Sequence, residues 1–315
     1  MSKIALSIVI PCFNEQEVLP ETAKRLQDLF ESLLSEEKIS EKSKIVFVDD
    51  GSKDKTWEII RNLRDEKPQL FSGIKLSQNR GHQNALLCGL LSVKDACDCA
   101  VSIDADLQHD IWAIPKMLEK YQDGHEIVFG IRDCRKGDSF FKKIVSLCFY
   151  KIINFFGAEL VRDHADYRLM GKKSLAAFAE YNETNLFLRG LIPMLGFKTC
   201  VVKYTQAERF AGKSKYTLKK MLHFAFDGIT SLSIKPIRCI TALGLFVSFV
   251  SFLMIIYFVH QHFHGFTVTG WSSTIVSVYA MGGLILFSIG IVGEYIGKIY
   301  LETKHRPKFH IEEIV

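Results

Sequence analysis

The sequence predicts an α/β protein: a domain on a mostly parallel central sheet with helices on both faces, then amphipathic stretches, then two membrane-crossing helices. Short β-branched runs alternate with helical patterns through the first part of the chain, as they do where strands are wound in parallel through crossover helices. Two uncharged runs of 21 and 22 residues stand near the C-terminal end, each long enough to cross roughly 30 Å of hydrocarbon. The 315 residues are 48% hydrophobic and 24% charged with only 7 prolines, which excludes disorder and supplies core for one or two domains. The net charge is +5, and no nucleic-acid partner is expected.

The strand-like runs are Leu6 to Ile10, Ile45 to Val48, Ala100 to Ile103 and Glu126 to Phe129, with helical patterns near 17–34, 55–65, 82–94 and 111–122. The first run stops at Pro11, Asn14 and Glu15, so it reads as a strand and not as an export signal. Ser139 to Phe156 gathers Phe140, Phe141, Ile144 and Phe149 on one helical side, with Lys142, Lys143 and Lys151 on the other. Tyr216 to Ile234 repeats the theme with Leu218, Met221, Leu222 and Phe226 against Lys215, Lys219 and Lys220. Such helices lie in a membrane interface or pack on the domain.

The uncharged runs are Cys239 to Val259 and Ser272 to Gly293. The loop between them, His260 to Gly270, has no Lys or Arg, whereas Lys235 and Arg238 precede the first run and Lys298, Lys304, Arg306 and Lys308 follow the second. The positive-inside rule then puts the loop outside and both the large domain and the tail in the cytoplasm. The expected organisation is a cytoplasmic domain over 1–215, a juxtamembrane amphipathic region over 216–237, spans at 238–260 and 272–296 around a loop at 261–271, and a cytoplasmic tail at 297–315. In the loop, His260, His262 and His264 alternate, which reads as a solvated polar turn. The eight cysteines are scattered; Cys97 and Cys99 lack the second pair a zinc site needs, and all eight read as packing residues.

Ligands of open α/β sheets bind beyond the carboxyl ends of the strands. Those positions read Pro11-Cys-Phe-Asn-Glu15, Asp49-Asp-Gly-Ser52 and Asp104-Ala-Asp-Leu-Gln-His109, which puts five carboxylates and two amides on one edge. Neither G-x-G-x-x-G after the first strand nor G-x-x-x-x-G-K-[ST] occurs, so no glycine cradle holds a phosphate. A hard cation, Mg2+ or Mn2+, on Asp104, Asp106 and the Gln108 carbonyl would do so, since such ions take oxygen ligands and share them with a diphosphate. In VDDGSKDKT, Gly51 permits a tight turn and Ser52 or Asp54 caps the next helix, while one Asp is left to accept from a nucleobase edge.

The segments PCFNE, VDDGSKDKT, NRGHQNAL and DADLQH stand in the order and spacing of glycosyltransferase family 2. With RDHADYRLM, RFAGKSKY and GEYIGKIYLETKHRP, the chain resembles the polyisoprenyl-phosphate glycosyltransferases, relatives of dolichol-phosphate mannose synthase, and most of all the bacterial undecaprenyl-phosphate glucosyltransferases. The resemblance implies a GT-A fold and inverting transfer of a sugar from a nucleotide diphosphate donor to a lipid phosphate at the cytoplasmic membrane face. It implies a nucleotide-sugar pocket at Pro11, Asn14, Glu15, Asp49 and Asp104, and a metal site at Asp104, Asp106 and Gln108. Arg132 and Arg135 would meet the acceptor phosphate, while Arg209, Ser214 and Lys215 would close over the phosphates. Asp166 sits where the family places its base, with Asp163 the weaker candidate, and Asp106 and Arg132 complete the expected catalytic set. It also implies a homo-oligomer, a tetramer. UDP-glucose is the favoured donor, ahead of other UDP-sugars and GDP-mannose.

A processive polysaccharide synthase would need more spans and a Q-x-x-R-W motif, and Trp57, Trp112 and Trp271 all lack a preceding Arg. A binding module without turnover would be expected to have lost Asp49, Asp104, Asp106 or Asp166, and all four are present.

Overall fold

The computed structural model describes residues 3–133, 164–184, 187–205, 230, 233–263 and 271–315. The chain opens with β1 (Leu6–Cys12), α1 (Leu19–Ser35), β2 (Lys44–Asp49), α2 (Thr56–Glu66), β3 (Phe71–Leu76) and α3 (His82–Val93). It continues with β4 (Cys99–Ser102), a 3-10 turn at Ile111–Ala113, α4 (Ile114–Gln122), β5 (Ile127–Arg132), β6 (His164–Gly171), α5 (Lys172–Ala179), α6 (Leu188–Met194) and β7 (Thr199–Tyr204). Two long helices, α7 (Lys235–Phe263) and α8 (Trp271–Thr303), and a last strand β8 (Ile311–Ile314) complete it.

Among the described residues the strands form one sheet in the order β7-β5-β6-β4-β1-β2-β3-β8. The pairs of β1 with β2, β1 with β4, β2 with β3 and β5 with β7 are parallel. β6 runs against both β4 and β5, and β8 runs against β3. The mostly parallel sheet expected from the alternation is present. Because β6 lies between β4 and β5 and runs against both, its first residues stand beside the carboxyl ends of those two strands.

Every residue of β1 is buried, as a strand covered on both faces requires. Its period of two divides the side chains between two cores. Leu6, Ile8 and Ile10 face a cluster with Ile45 and Phe47 of β2, Leu26, Leu29 and Phe30 of α1, and Met117 of α4. Val9, with Val46 and Val48, faces Leu86, Leu87 and Leu90 of α3 and Leu175 and Phe178 of α5. α1 is amphipathic, with Leu19, Ala23, Leu26, Phe30 and Leu33 returning to one side at helical spacing. Gly89 lets α3 settle onto the sheet, since a Cβ there would come 2.3 Å from Val9 Cγ1.

α8 has 33 residues and so spans about 50 Å. Among the described residues one segment, Ala280–Thr303, is long and apolar enough to cross a membrane, and none of it is buried in the protein. α8 runs ten residues beyond the Gly293 where its uncharged run ends. The expected tail does not hang free: Ile311–Ile314 adds to the edge strand β3. Trp57 Nε1 donates to Glu313 at 3.1 Å, Lys75 pairs with Glu312 at 2.8 Å, and Val315 and Gly73 exchange backbone hydrogen bonds at 2.9 Å. Cys12, Cys88, Cys97 and Cys99 are buried as expected and Cys200 is partly buried; Cys239 is exposed on α7, and Cys134 and Cys148 lie outside the described residues.

Candidate active site

The loops after β1 and β2 are stitched into one unit. Asn14, in the left-handed region at φ 55, accepts from Lys53 N through Oδ1 at 2.9 Å, while its own N–H donates to Ser52 Oγ at 2.9 Å. Glu15 N donates to Thr56 Oγ1 at 2.9 Å, and Gln16 N to Asp54 Oδ2 at 3.2 Å. Pro11 is buried at the end of β1, opposite Val48. Asp49 is fully buried, and burial pushes its carboxyl up against the opposing hydrogen bonds from Ser52.

Asp50 has a different task. It accepts from Arg80 N at 2.7 Å and Gly81 N at 2.9 Å, one bond to each oxygen, and so pins the loop that leads into α3. Gly51, at φ +67, lies against that loop; a Cβ there would be 2.6 Å from Asn79 N. The adjacent pair therefore divides its work, with Asp50 building the edge and Asp49 left as its ligand candidate.

At the end of β4, Ile103 N donates to Val9 O at 3.2 Å and Thr22 Oγ1 donates to Ala105 O at 2.8 Å, which fixes the turn from both sides. Leu107 takes φ 58 and Gln108 N donates to Asp106 Oδ1 at 3.2 Å, so Asp106 also caps its own turn. His109 is buried, stacked on Tyr167 at 5.0 Å and edge-on to Tyr204 at 5.6 Å. Its Nδ1 accepts from Asp104 N at 3.2 Å, and burial lowers its pKa, so it stands neutral with the proton on Nε2. Asp104, Asp106 and Gln108 are all partly exposed. Two carboxylates and an amide carbonyl make an oxygen donor set that suits Mg2+ or Mn2+, with the remaining positions open to water and phosphate. Among the described residues no group of three or more acidic, histidine or cysteine side chains is placed to hold a metal ion by itself.

β6 supplies the centre of the site. Asp166 receives Arg168 Nη2 at 2.6 Å and Arg189 Nη2 at 3.1 Å, one on each oxygen. His82, the first residue of α3, places Nε2 3.5 Å from Asp166 Oδ2 and 3.5 Å from Asp104 Oδ1. Burial would raise the Asp166 carboxyl, but Arg189, the His82 hydrogen bond and Arg168 outweigh it and hold it well below the usual carboxylate range. The protein around His82 disfavours its charge, yet Asp166 and Asp104 more than offset this and raise its pKa. Arg132, at the end of β5, donates from Nε to Tyr204 Oη at 3.4 Å and so stands beside the His109 ring.

The structure thus brings Asp104, Asp166 and Arg132 to one region of the strand-end edge, where Asp106 and Gln108 share the turn with Asp104, while Pro11, Asn14, Glu15 and Asp49 form the neighbouring loops. Arg135, Asp163, Arg209, Ser214 and Lys215 lie outside the described residues, as does nearly all of both amphipathic stretches. Sequence reasoning passed over His82, Arg168 and Arg189 as individual residues. His82 had a signal, since it stands where a helix begins after a strand; Arg189 had none, because its partner lies 23 residues away.

Comparison with known proteins identifies the family. The glycosyl transferase family 2 profile matches residues 7–177. The chain is 51% identical over 313 residues to the uncharacterized glycosyltransferase YkoT of Bacillus subtilis (strain 168), covering 99% of this chain and 92% of that protein. It is 38% identical over 309 residues to the bactoprenol glucosyl transferase of Shigella phage SfV, covering 98% of each. Among solved structures, mannosyl-3-phosphoglycerate synthase from Rubrobacter xylanophilus is similar at 15% identity and a TM-score of 0.47, over 71% of each chain. The strand-end carboxylates and the family match lead to one conclusion: this chain is an enzyme of glycosyltransferase family 2, built on the family's GT-A α/β fold.

Proposed function

We propose that the protein transfers glucose from UDP-glucose to undecaprenyl phosphate, with inversion, at the cytoplasmic face of a bacterial membrane. The observation that carries this reading is the joining of Asp104 to Asp166 through His82, on a domain whose chain continues into the apolar helix α8. The first carboxylate belongs to the donor side of the edge, the second to the acceptor side. The relatives named bactoprenol glucosyl transferase supply the sugar and the lipid.

Asp104, Asp106 and Gln108 would hold Mg2+ or Mn2+, which neutralises charge on the departing nucleoside diphosphate. Asp49, buried between the first two loops, would accept from the nucleobase edge, with Pro11, Asn14 and Glu15 shaping that pocket. Arg132 would meet the acceptor phosphate, and from the undescribed segments Arg135 would join it while Arg209, Ser214 and Lys215 close over the phosphates. A phosphate monoester has a second pKa of about 6 and is mostly dianionic at neutral pH, so the attacking oxygen needs little deprotonation. Asp166, with a guanidinium on each oxygen, is suited to orienting Arg189 and His82 towards the reacting groups rather than to taking a proton.

In this reading α7 and α8 are two spans, with the loop between them outside and the catalytic domain and tail inside, and the assembly is a homo-oligomer. The test is to incubate the purified protein with Mg2+, undecaprenyl phosphate and labelled UDP-glucose, other UDP-sugars and GDP-mannose. Label from UDP-glucose entering the organic phase is the expected result. Label from another donor would reassign the sugar, and polymer without glycolipid would replace the reading with a processive synthase.

A further inference from the structure

Beside the strand-end carboxylates lies a cleft of about 500 Å3, lined by Asn79, Arg80, Gly81, Asn84, Arg306 and Lys308 together with Thr184 and Pro307. Three of these carry positive charge and none carries negative charge. The segments that form it are far apart in sequence, and each is held in place. Arg80 is fixed at both ends of its backbone: Asp50 takes its N–H at 2.7 Å, and Asn84 Nδ2 donates to its carbonyl at 2.8 Å. Arg306 and Lys308 arrive from the other side. α8 stops at Thr303, His305 turns the chain at φ 45, and Pro307 prevents the helix from resuming. Lys308 Nζ lies 3.4 Å from Tyr181 O. Behind it, Glu302 and Glu183 sustain its charge against burial, which lowers its pKa, and Glu302 also accepts from Thr184 N at 2.7 Å. The wall at 81–84 is the start of α3, whose N-cap residue Gly81 is held by Asp50 at 2.9 Å.

The chemistry is that of a phosphate site: two guanidinium groups and an ammonium group meet in one cleft. Two sources could supply the phosphate, the nucleotide donor or the lipid acceptor. Position decides between them. Arg306 and Lys308 follow directly on the apolar helix α8, so two of the cleft's three positive charges stand at the end of the segment apolar enough to cross a membrane, while Asp50 ties Arg80 to the strand-end edge. We propose that the Arg80, Arg306 and Lys308 cleft is a docking site for the phosphate of the lipid acceptor, which it receives from the membrane surface before transfer. This rests on the lipid-phosphate acceptor proposed above and adds to it a place of entry.

The test uses the full chain in nanodiscs of phosphatidylcholine, titrated separately with undecaprenyl phosphate and with UDP-glucose. Arg80→Gln, Arg306→Gln and Lys308→Gln should each weaken undecaprenyl phosphate binding by about tenfold and leave UDP-glucose binding within about twofold. Arg306→Lys, which keeps the charge, should recover most of the loss, separating a binding role from a folding defect. Unchanged lipid affinity in all three Gln variants would overturn the proposal. So would weakened UDP-glucose binding with intact lipid binding, which would give the cleft to the donor. Because binding is read without turnover, a native protein that binds the lipid through these residues but transfers no sugar would overturn the transferase reading and leave the cleft standing.

Discussion

Asp166 sits between two guanidinium groups, and one of them, Arg168, is completely buried. Removing the carboxylate would strand that charge in the protein interior, so Asp166→Asn should cost about 3 to 5 kcal/mol at neutral pH, read as a lowered thermal midpoint. The sign with pH follows from the depressed pKa. The carboxylate's contribution is full above its ordinary unfolded pKa of about 3.9 and is lost as pH falls through the lower folded value, so the gap between variant and native protein should close only in strong acid. Turnover of Asp166→Asn should fall at every pH between about 6 and 9; a loss rescued by raising pH would instead mark a base. Gly51 sets a second requirement at this scale. Gly51→Ala forces a Cβ against the backbone of Asn79 at a positive φ, and should cost more than about 1 kcal/mol and weaken donor binding, measured by thermal shift and by UDP-glucose titration.

At the scale of elements, the return of β8 to the sheet rests on its backbone ladder more than on its charges. The Arg61–Glu313 pair is solvent-exposed, so Glu313→Ala should lower Tm only slightly. Deleting residues 309–315 should cost clearly more and should speed proteolysis near β3, because it uncovers that strand's edge. The same strand shows where sequence reading stopped. β1, β2, β4 and β5 were legible because burial on both faces fills them with β-branched residues. β8, Ile-Glu-Glu-Ile, is four residues with charges at its centre, and β3 is diluted by Gly73 and Lys75. β6 contains Arg168, a charge a sequence reader expects in solvent; Asp166, two residues earlier on the same strand, and the carbonyl of Leu188, brought in by the fold, accept from its guanidinium where it is buried. Asp49, Asp104 and Asp106 were legible for a related reason, since they follow strands whose hydrophobicity announces them, whereas Asp166, inside β6, came only from the family resemblance. Arg189 and His82 meet their partners only through the fold.

For the whole molecule, two measurements bear on the proposed chemistry and setting. Chelation by EDTA should abolish sugar transfer, and added Mg2+ or Mn2+ should restore it; full activity in EDTA, or in a variant with both Asp104→Ala and Asp106→Ala, would remove the metal from the mechanism. Leu286, exposed at 72% on α8, faces out of the protein, and Leu286→Arg should disfavour insertion by about 2.5 to 3.5 kcal/mol, seen as release of the protein by alkaline carbonate extraction. Among the described residues the chain runs from the sheet domain into α7 and α8 and rejoins that domain through β8. A body hung from one strap can swivel and drift; one buckled on both sides keeps its heading and its height. With α7 and α8 embedded, the second buckle would hold the strand ends at a constant distance from the lipid head groups, so that an acceptor arriving by lateral diffusion meets a mouth already facing it.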